Sequence, residues 1–488
     1  MKKKYIISID QSTSTTKAVL FDNKLNFCGR IDIRHKQIIN DKGWIEHSPE
    51  EIYSNIIKAV KRLLETTGVD KKLITGAALS NQRETSIVWN KYTGKPVYNA
   101  IVWQCSRSES ICKKLKKYSD IIKKNTGIRL SPFFSASKIA WILKNIEIKN
   151  KDDLCASTMD SWILYNLSKE KVVKTDYSNA SRTQLFNLKK LEWDDDIISI
   201  FGIKKDMLPE VCNSNDLFCH TNFGGIFDNY IPICGVLGDS HAALLAQGCL
   251  NKGEVKATYG TGSSVMMNTD NDIIYDKGLT TSIAWSIDNK IQYVLEGNIN
   301  YTGAIIKWLE EDLRLIDSSK DVSHLAKKAR HMEDLYIVPA FSGLGSPYWV
   351  SKIKANIYGI TRNTKKEEIV RACEEAIAYQ ISDIVFLMQK VLKNNIEINY
   401  LKVDGGPTKD DFLMQFQSDI SNLHVRVSNI EELSAMGSAF AAGVKLGLYD
   451  IDIINDKKSK IEYIPNMDSN IRNKLYKGWK SAVFKTIH

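Results

Sequence analysis

With 488 residues, the chain is too long for one hydrophobic core, so two or three domains are expected and two large ones are the economical division. Its 43% hydrophobic and 25% charged residues are those of a soluble globular protein, which excludes a disordered chain, and no run of about eighteen apolar residues marks a membrane span. The net charge of +10 is spread along Lys/Asn/Ile-rich segments without a basic arm or an aromatic-interleaved RNA motif; this speaks against nucleic acid and suits a protein whose ligands are anionic nucleotides.

The first three lysines are followed directly by a strand-type run, without the apolar stretch and small-residue cleavage site of a signal peptide, so a cytoplasmic protein is expected. Residues 5–22 then form two apolar runs joined by Ser12, Thr13, Ser14, Thr15 and Thr16, with Asp10 at the end of the first run and Lys17 opening the second. They read as a β-hairpin with a polar tip. Converging hydroxyls and amides bind phosphate oxygens, Lys17 adds charge, and Asp10 is placed to hold Mg²⁺ through water. The same residues also describe a plain Ser/Thr-rich surface turn.

Ser48, Pro49 and Glu51 are an N-cap, a first-turn proline and a capping glutamate, so a helix is expected from 49 onward. Residues 73–80 read as a buried strand running into Asn81–Thr85, and 86–89 as strand again. Arg83 and Glu84, charged residues set between apolar strands, point to a cleft, as does Trp103 at the end of the strand-type run 100–103. A surface ion pair and a core aromatic are the plainer readings. Residues 137–180 look largely helical. Residues 231–245 give a strand, a glycine turn and a helix whose first residue is Asp239, either a capping carboxylate or a general base kept ionised at a cleft rim.

The ambiguity at the first hairpin is resolved in mid-chain. Residues 256–268, with Thr261 and Gly262 in the turn, repeat the strand, small-hydroxyl turn and strand of residues 5–22. Two halves that each begin with such a hairpin suggest a duplicated domain holding a nucleotide between the copies. A helix over 366–394 and a strand over 400–404 follow, the latter closed by Gly405 and Gly406, where a ligand can approach the backbone. The small-residue segment 434–443 suits tight packing and reads as the last helix; the residues beyond it carry no chemical signal. The nine cysteines include no Cys-x-x-Cys pair, so reduced thiols are expected. Neither Gly-x₄-Gly-Lys-Ser/Thr nor Gly-x-Gly-x-x-Gly occurs, so phosphate binding falls to the paired hairpins.

Asp10–Gln11, Gly43–Pro49, Asn81–Thr85, Trp103, Asp176–Thr183, Gly238–Asp239, Tyr259–Gly262, Pro339–Trp349 and Asp404–Asp419 together resemble the FGGY carbohydrate kinases over nearly the whole chain, and within them most the glycerol kinases. The resemblance implies an α/β protein of two actin-like, ribonuclease H-like ATPase domains, divided here as 1–247 and 248–488, with the active site in the cleft between them. It implies transfer of the γ-phosphoryl group of ATP to a primary hydroxyl of glycerol or a related polyol or sugar, with Asp239 as general base and Asp10 and Asp239 beside Mg²⁺. Thr13, Ser14, Thr15, Lys17, Thr261 and Gly262 are then phosphate contacts. Gly303, Lys307, Gly405, Gly406 and Asp410 line the nucleotide site, and Arg83, Glu84 and Trp103 hold the polyol. A homodimer or homotetramer is the family's pattern.

Departures bear on the acceptor. Phe133 stands where glycerol kinases have tyrosine, Ser240 where they have glutamine, Ser264 where they have phenylalanine and Cys105 where they have an acidic residue. Losing a bulky wall for a small hydroxyl suits a larger acceptor such as a tetritol, xylulose or ribulose. Asp410 and Lys307 replace an asparagine and a glutamine on the nucleotide side. Tyr230 replaces the arginine through which some relatives are inhibited by fructose 1,6-bisphosphate, so no such inhibition is expected. A non-catalytic actin-like ATPase is the competing reading of another class; it has no use for Arg83, Glu84, Trp103 and Asp239 converging on one cleft.

Overall fold

The computed structural model describes residues 3–330, 334–392, 396–456 and 461–488. Its first sheet grows from the opening hairpin, β1 (Tyr5–Gln11) and β2 (Thr15–Asp22), antiparallel with Asp10 opposite Lys17. Every residue of β1 is buried, as a strand covered on both faces requires. Next come β3 (Phe27–Arg34) beside β2, then β4 (Ile74–Asn81) parallel to β1, and β5 (Ile231–Gly238) parallel to β4. The sheet runs in the order β5-β4-β1-β2-β3, with the short strand Cys219–Thr221 antiparallel at the β5 edge.

The second sheet repeats this plan. The hairpin β6 (Val255–Tyr259) and β7 (Ser263–Asp270) is followed by β8 (Thr280–Ile287) and β9 (Lys290–Ile299), then β10 (Tyr400–Asp404) and β11 (His424–Val427). β10 lies parallel to β6, β11 parallel to β10, and β9 antiparallel to β7. The order β9-β7-β6-β10-β11 matches that of the first sheet strand for strand, with β8 added at one edge and Ile461–Tyr463 at the other. Each half is thus an actin-like α/β unit, and the repeat expected from two hairpins extends through five strands.

Helix α1 (Pro49–Thr67) begins as its cap residues dictate: Ser48 accepts a hydrogen bond from the Glu51 amide, and Gly68 closes the far end in the left-handed conformation. Its buried face, including Ile52, Ile56, Ala59, Val60 and Leu63, packs on β2 and β3. Helix α2 (Asp239–Ala246) leaves β5; in the second half, α3 (Lys366–Val391) and α4 (Asp411–Ser421) pack on each other. The expected end of the long helix at 394 lies outside the described residues.

Helix α5 (Leu433–Lys445) leaves β11 as α2 leaves β5, but packs back against the first sheet and α2. Its small residues are required there, because a Cβ on Gly437 would lie 1.9 Å from the Ala242 carbonyl oxygen. One apolar cluster therefore mixes Ile6, Phe21 and Leu237 of the first half with Met266, Ala439 and Phe440 of the second.

Two expectations are corrected. Residues 137–180 are not largely helical: a helix at Ser135–Asn145 and another at Met159–Leu167 are separated by the buried strand Leu154–Thr158 and followed by Lys174–Asp176. The strand pairs with Ser86–Asn90, and that pairing, not local propensity, decides its conformation. Segment 434–443 is not the last helix either. Helix α6 (Ser469–Ile487) follows it, with Trp479 stacked on Tyr379 of α3 at 5.3 Å.

Candidate active site

Strands β1, β4 and β5 are parallel neighbours, so their carboxyl ends lie at one edge of the sheet, where open α/β sheets bind ligands. The register places Gln11 and Gly238 both against Asn81. Asp10, the Arg83–Glu84 turn and Asp239 are consequently gathered at this edge from positions far apart in sequence. The Asp10 carboxylate accepts a 2.7 Å hydrogen bond from Ser80 and lies 3.4 Å from the Lys17 ammonium.

Arg83 is buried, and its fork grips a residue of the other half: Nη1 donates to Glu296 Oε2 at 3.0 Å and Nη2 to Oε1 at 2.9 Å. Its Nε stands 3.3 Å from Asp239 Oδ1. The approach depends on Gly238, whose Cβ would fall 2.7 Å from Arg83 Cγ. Glu84 pairs with Arg182, Nε to Oε1 at 2.6 Å, and Arg182 Nη1 is 2.7 Å from Glu296 Oε2. Glu84 adopts a left-handed backbone with φ of 60°, a conformation costing roughly 1–2 kcal/mol for such a residue. The hydroxyls of Ser86 and Ser135, both donating to the Glu84 carbonyl, hold it there.

Burial by itself raises the Glu296 carboxyl, but Arg182 and Arg83 outweigh it and hold the group well below the usual carboxylate range. Burial likewise opposes the charge on Arg83, and Glu296, Glu84 and Asp239 reverse that effect. Asp239 goes the other way: loss of water raises its carboxyl above the ordinary value, Asp10 and Glu84 add to the rise, and Arg83 and the Ser240 amide oppose it. Such a carboxylate at a helix start, with its charged form disfavoured by burial, can accept a proton.

Two aromatics pack together beside the first hairpin. Trp103 donates from Nε1 to the Thr13 hydroxyl at 3.0 Å and packs on Phe133 with ring centroids 5.2 Å apart. The Ser264 hydroxyl donates to Glu296 Oε1 at 2.8 Å, so it is engaged by the protein. Cys105 is buried, its sulfur accepting from Arg107 Nε at 3.1 Å.

Between the halves lies a cavity of about 600 Å³ lined by Asp10, Ser12, Lys17, Arg30, Asp239, Ser240, Lys256, Thr258, Asp404, Gly405, Gly406, Thr408, Lys409 and Glu432 among others. Four of the lining residues are cations, and they stand among the carboxylates Asp10, Asp239, Asp404, Glu431 and Glu432, a mixed surface that suits a polyanion carrying a divalent cation. Lys17 is bonded at 2.9 Å to Glu432, the residue before α5, and Arg30 meets the same carboxylate at 2.5 Å. Gln247 donates to Asp404 Oδ2 at 3.0 Å, while the buried Oδ1 has no hydrogen-bond partner among the described residues. Asp10 and Asp239 line one cavity with Lys17 and Lys256, and one or two carboxylates beside phosphate oxygens are what Mg²⁺ needs from a protein. The donor set therefore fits the ion.

Several expected contacts lie apart from this cavity. Thr13 is turned to Trp103, Ser14 and Thr15 face each other at 3.4 Å with Ser14 exposed, and Ser12 is the tip residue on the cavity wall. The Thr261–Gly262 turn is tied to the segment holding Gly303, whose amide donates to the Gly260 carbonyl at 2.9 Å. Lys307 is exposed. Asp410 caps α4 by accepting from the Leu413 amide at 3.1 Å. Sequence reasoning passed over Glu296, Lys256, Asp404 and Glu432 as site residues. The signal for Glu296 was present, a lone carboxylate inside the buried part of β9.

Residues 5–246 match the N-terminal domain of the FGGY family of carbohydrate kinases, and residues 255–446 match its C-terminal domain. A protein of Thermotoga maritima named glycerol kinase 1 is 45% identical over 492 aligned positions, 99% of each chain. A glycerol kinase of Fusobacterium nucleatum is 42% identical, again over 99% of each. Among solved structures, Plasmodium falciparum glycerol kinase with ADP superposes with a TM-score of 0.93 at 35% identity, over 99% of this chain and 98% of that one. A xylulose kinase of Lactobacillus acidophilus, 22% identical over the same shares, has a TM-score of 0.88, a likeness of fold alone.

Proposed function

The chain belongs to the FGGY family of carbohydrate kinases, and on that premise we propose that it phosphorylates a primary hydroxyl of glycerol, with ATP as donor and Mg²⁺ as its ion. It is an ATP-dependent carbohydrate or polyol kinase; the finer reading rests on one observation. Asp239 stands between the Arg83 fork and the cavity that holds Lys17 and Lys256, so an alcohol held by Arg83 and Glu84 faces a proton acceptor on one side and a phosphate site on the other.

Bound Mg-ATP supplies the phosphoryl group and an ion that offsets its charge. Asp239 takes the hydroxyl proton on a carboxylate oxygen as the alcohol oxygen attacks. Arg83, Glu84 and Trp103 orient the acceptor, with Phe133, Ser240 and Ser264 bounding it. Lys17 and Lys256 present charge to the phosphates from the cavity wall, and the turns at Thr13–Thr15 and Thr261–Gly262, which lie off that wall, reach them as the two halves close on the nucleotide. Gly405 and Gly406 make the opposite wall, with Gly303, Lys307 and Asp410 toward the base. Most of the work is alignment and charge stabilisation, as phosphoryl transfer requires. The two halves divide at 247/248, between α2 and β6.

Glycerol is favoured by the relatives' names and by the full use of the Ser264 hydroxyl, which leaves no free donor for an extra acceptor hydroxyl. A larger acceptor, a tetritol or pentulose, has one observation in its favour: serine leaves space where glycerol kinases carry phenylalanine. Measuring kcat/KM for glycerol, erythritol, xylulose and ribulose with product identification decides between them. A pentulose preferred a hundredfold over glycerol overturns the glycerol reading, and polyol-independent ATP hydrolysis overturns the kinase. A cytoplasmic homodimer or homotetramer is proposed on family analogy alone; light scattering measures the assembly. No helix among the described residues is long and apolar enough to cross a membrane.

A further inference from the structure

Glu296 is the point where the second half of the chain reaches into the acceptor site. It lies on β9, is fully buried, and uses both carboxylate oxygens. Oε1 accepts from Arg83 Nη2 at 2.9 Å and from the Ser264 hydroxyl at 2.8 Å. Oε2 accepts from Arg83 Nη1 at 3.0 Å and lies 2.7 Å from Arg182 Nη1. Arg182 in turn holds Glu84. One carboxylate from the second sheet thus spans two arginines of the first half, and through them bears on both charged acceptor residues.

The geometry shows what this arrangement prevents. An arginine fork grips a carboxylate with two parallel donors. Each Nη of Arg83 gives one of its two N–H groups to Glu296, which leaves a second N–H on each nitrogen for an acceptor, while Nε, at 3.3 Å, faces Asp239. Without the glutamate, the nearest carboxylate for the freed fork is Asp239 itself. The guanidinium then leaves the acceptor and pairs with the group proposed to take its proton. Ser264 adds a donor to the same oxygen, and β9 is rigidly paired on both sides, with β7 and β8.

We propose that Glu296 is a positioning residue for the acceptor: it does not touch the substrate but holds Arg83 in the orientation that binds the polyol, and holds Glu84 through Arg182. The proposal rests on the glycerol kinase reading. It makes acceptor binding depend on the seating of the second half against the first, because the glutamate and the arginines come from opposite halves.

The test is steady-state kinetics of the full-length protein bearing Glu296→Gln, which keeps shape and removes charge, with Glu296→Asp, which keeps charge and loses reach, as the milder second variant. Glu296→Gln is expected to raise the glycerol KM at least tenfold while the ATP KM changes less than threefold, and Glu296→Asp to fall between it and the native protein. In an Arg83→Ala background, Glu296→Gln is expected to add less than twofold, since it acts through that arginine. An unchanged glycerol KM, an equal rise in both KM values, or full additivity with Arg83→Ala overturns the proposal. If Glu296→Gln does not fold, the same criteria are applied to Glu296→Asp. If the native protein phosphorylates none of the polyols, the functional reading has failed, not the positioning role.

Discussion

Gly405 and Gly406 adjoin at the end of β10, both on the cavity wall, yet an added methyl group meets opposite surroundings at the two positions. At Gly405 the backbone has φ of 103° and ψ of 169°, a region that only glycine populates freely. A Cβ there would lie 1.9 Å from the Tyr259 carbonyl oxygen and 2.8 Å from its carbon. That atom must move by more than ~1 Å to reach a van der Waals separation. Both partners are backbone at the ends of paired strands, so no side chain can yield. Backbone strain of roughly 1–3 kcal/mol and overpacking of about 1–3 kcal/mol add to roughly 2–6 kcal/mol for Gly405→Ala. At about 2–4 °C per kcal/mol for a unit of this size, the melting temperature falls by at least ~4 °C. Around a Cβ on Gly406 there is nothing within 4 Å; Gly406→Ala leaves stability within about 1 kcal/mol and instead narrows the cavity, raising the ATP KM severalfold. Differential scanning calorimetry and ATP titration of the two variants separate the effects. A Gly405→Ala protein melting within 1 °C of the parent, or a Gly406→Ala protein that loses stability with an unchanged ATP KM, refutes the reasoning.

Asp239→Asn is expected to lower kcat at least a hundredfold with ATP affinity within threefold; a variant retaining more than a tenth of kcat rules out this residue as the base. A base acts only when deprotonated and burial raises the Asp239 carboxyl, so kcat/KM falls as pH drops through that raised value. Its acid limb therefore lies above the ordinary aspartate value of about 3.9, and a limb at or below that value contradicts the assignment. The buried Asp383 carboxylate accepts from Tyr348 at 2.6 Å, Tyr476 at 2.5 Å and Trp479 at 2.8 Å, so Asp383→Asn costs about 2–4 kcal/mol. It loosens α6 first: limited proteolysis is expected to cut within 469–487 before the rest of the chain, and uniform protection of that helix counts against the clamp. Tyr230 is exposed, with the Lys169 ammonium 5.1 Å from its ring, and no inhibition by sub-millimolar fructose 1,6-bisphosphate is expected; a titration showing it refutes the prediction.

Some features were legible because their cause is local. Ser48, Pro49 and Glu51 start α1 through hydrogen bonds within one turn, and the two hairpins announce themselves by alternating strand and hydroxyl-turn composition. Arg83 and Glu84 stood out as charges between apolar strands, and the structure buries both, paired with Glu296 and Arg182. Leu154–Thr158 was misread because its strand conformation is set by pairing with Ser86–Asn90, far back in the sequence. Helix α6 escaped notice because its anchor, Asp383, is on another helix. Ser264 was read as a free hydroxyl, and its partner Glu296 came into view only when β7 and β9 were paired.

The sequence by itself determined that this is a two-fold repeated α/β chain with a phosphate-suited hairpin at the head of each half, since composition, caps and turns act over a few residues. It also marked Asp10, Arg83, Glu84 and Asp239 as a group, through motifs and family resemblance. Only the tertiary structure decided how those four meet. Parallel pairing of β1, β4 and β5 brings three strand ends into register, and the crossing of α2 and α5 sets the halves against each other. That packing delivers Glu296 to Arg83 and Glu432 to Lys17. A buried charge is tolerable only beside its counter-charge, and which counter-charge it finds is a property of the assembled halves.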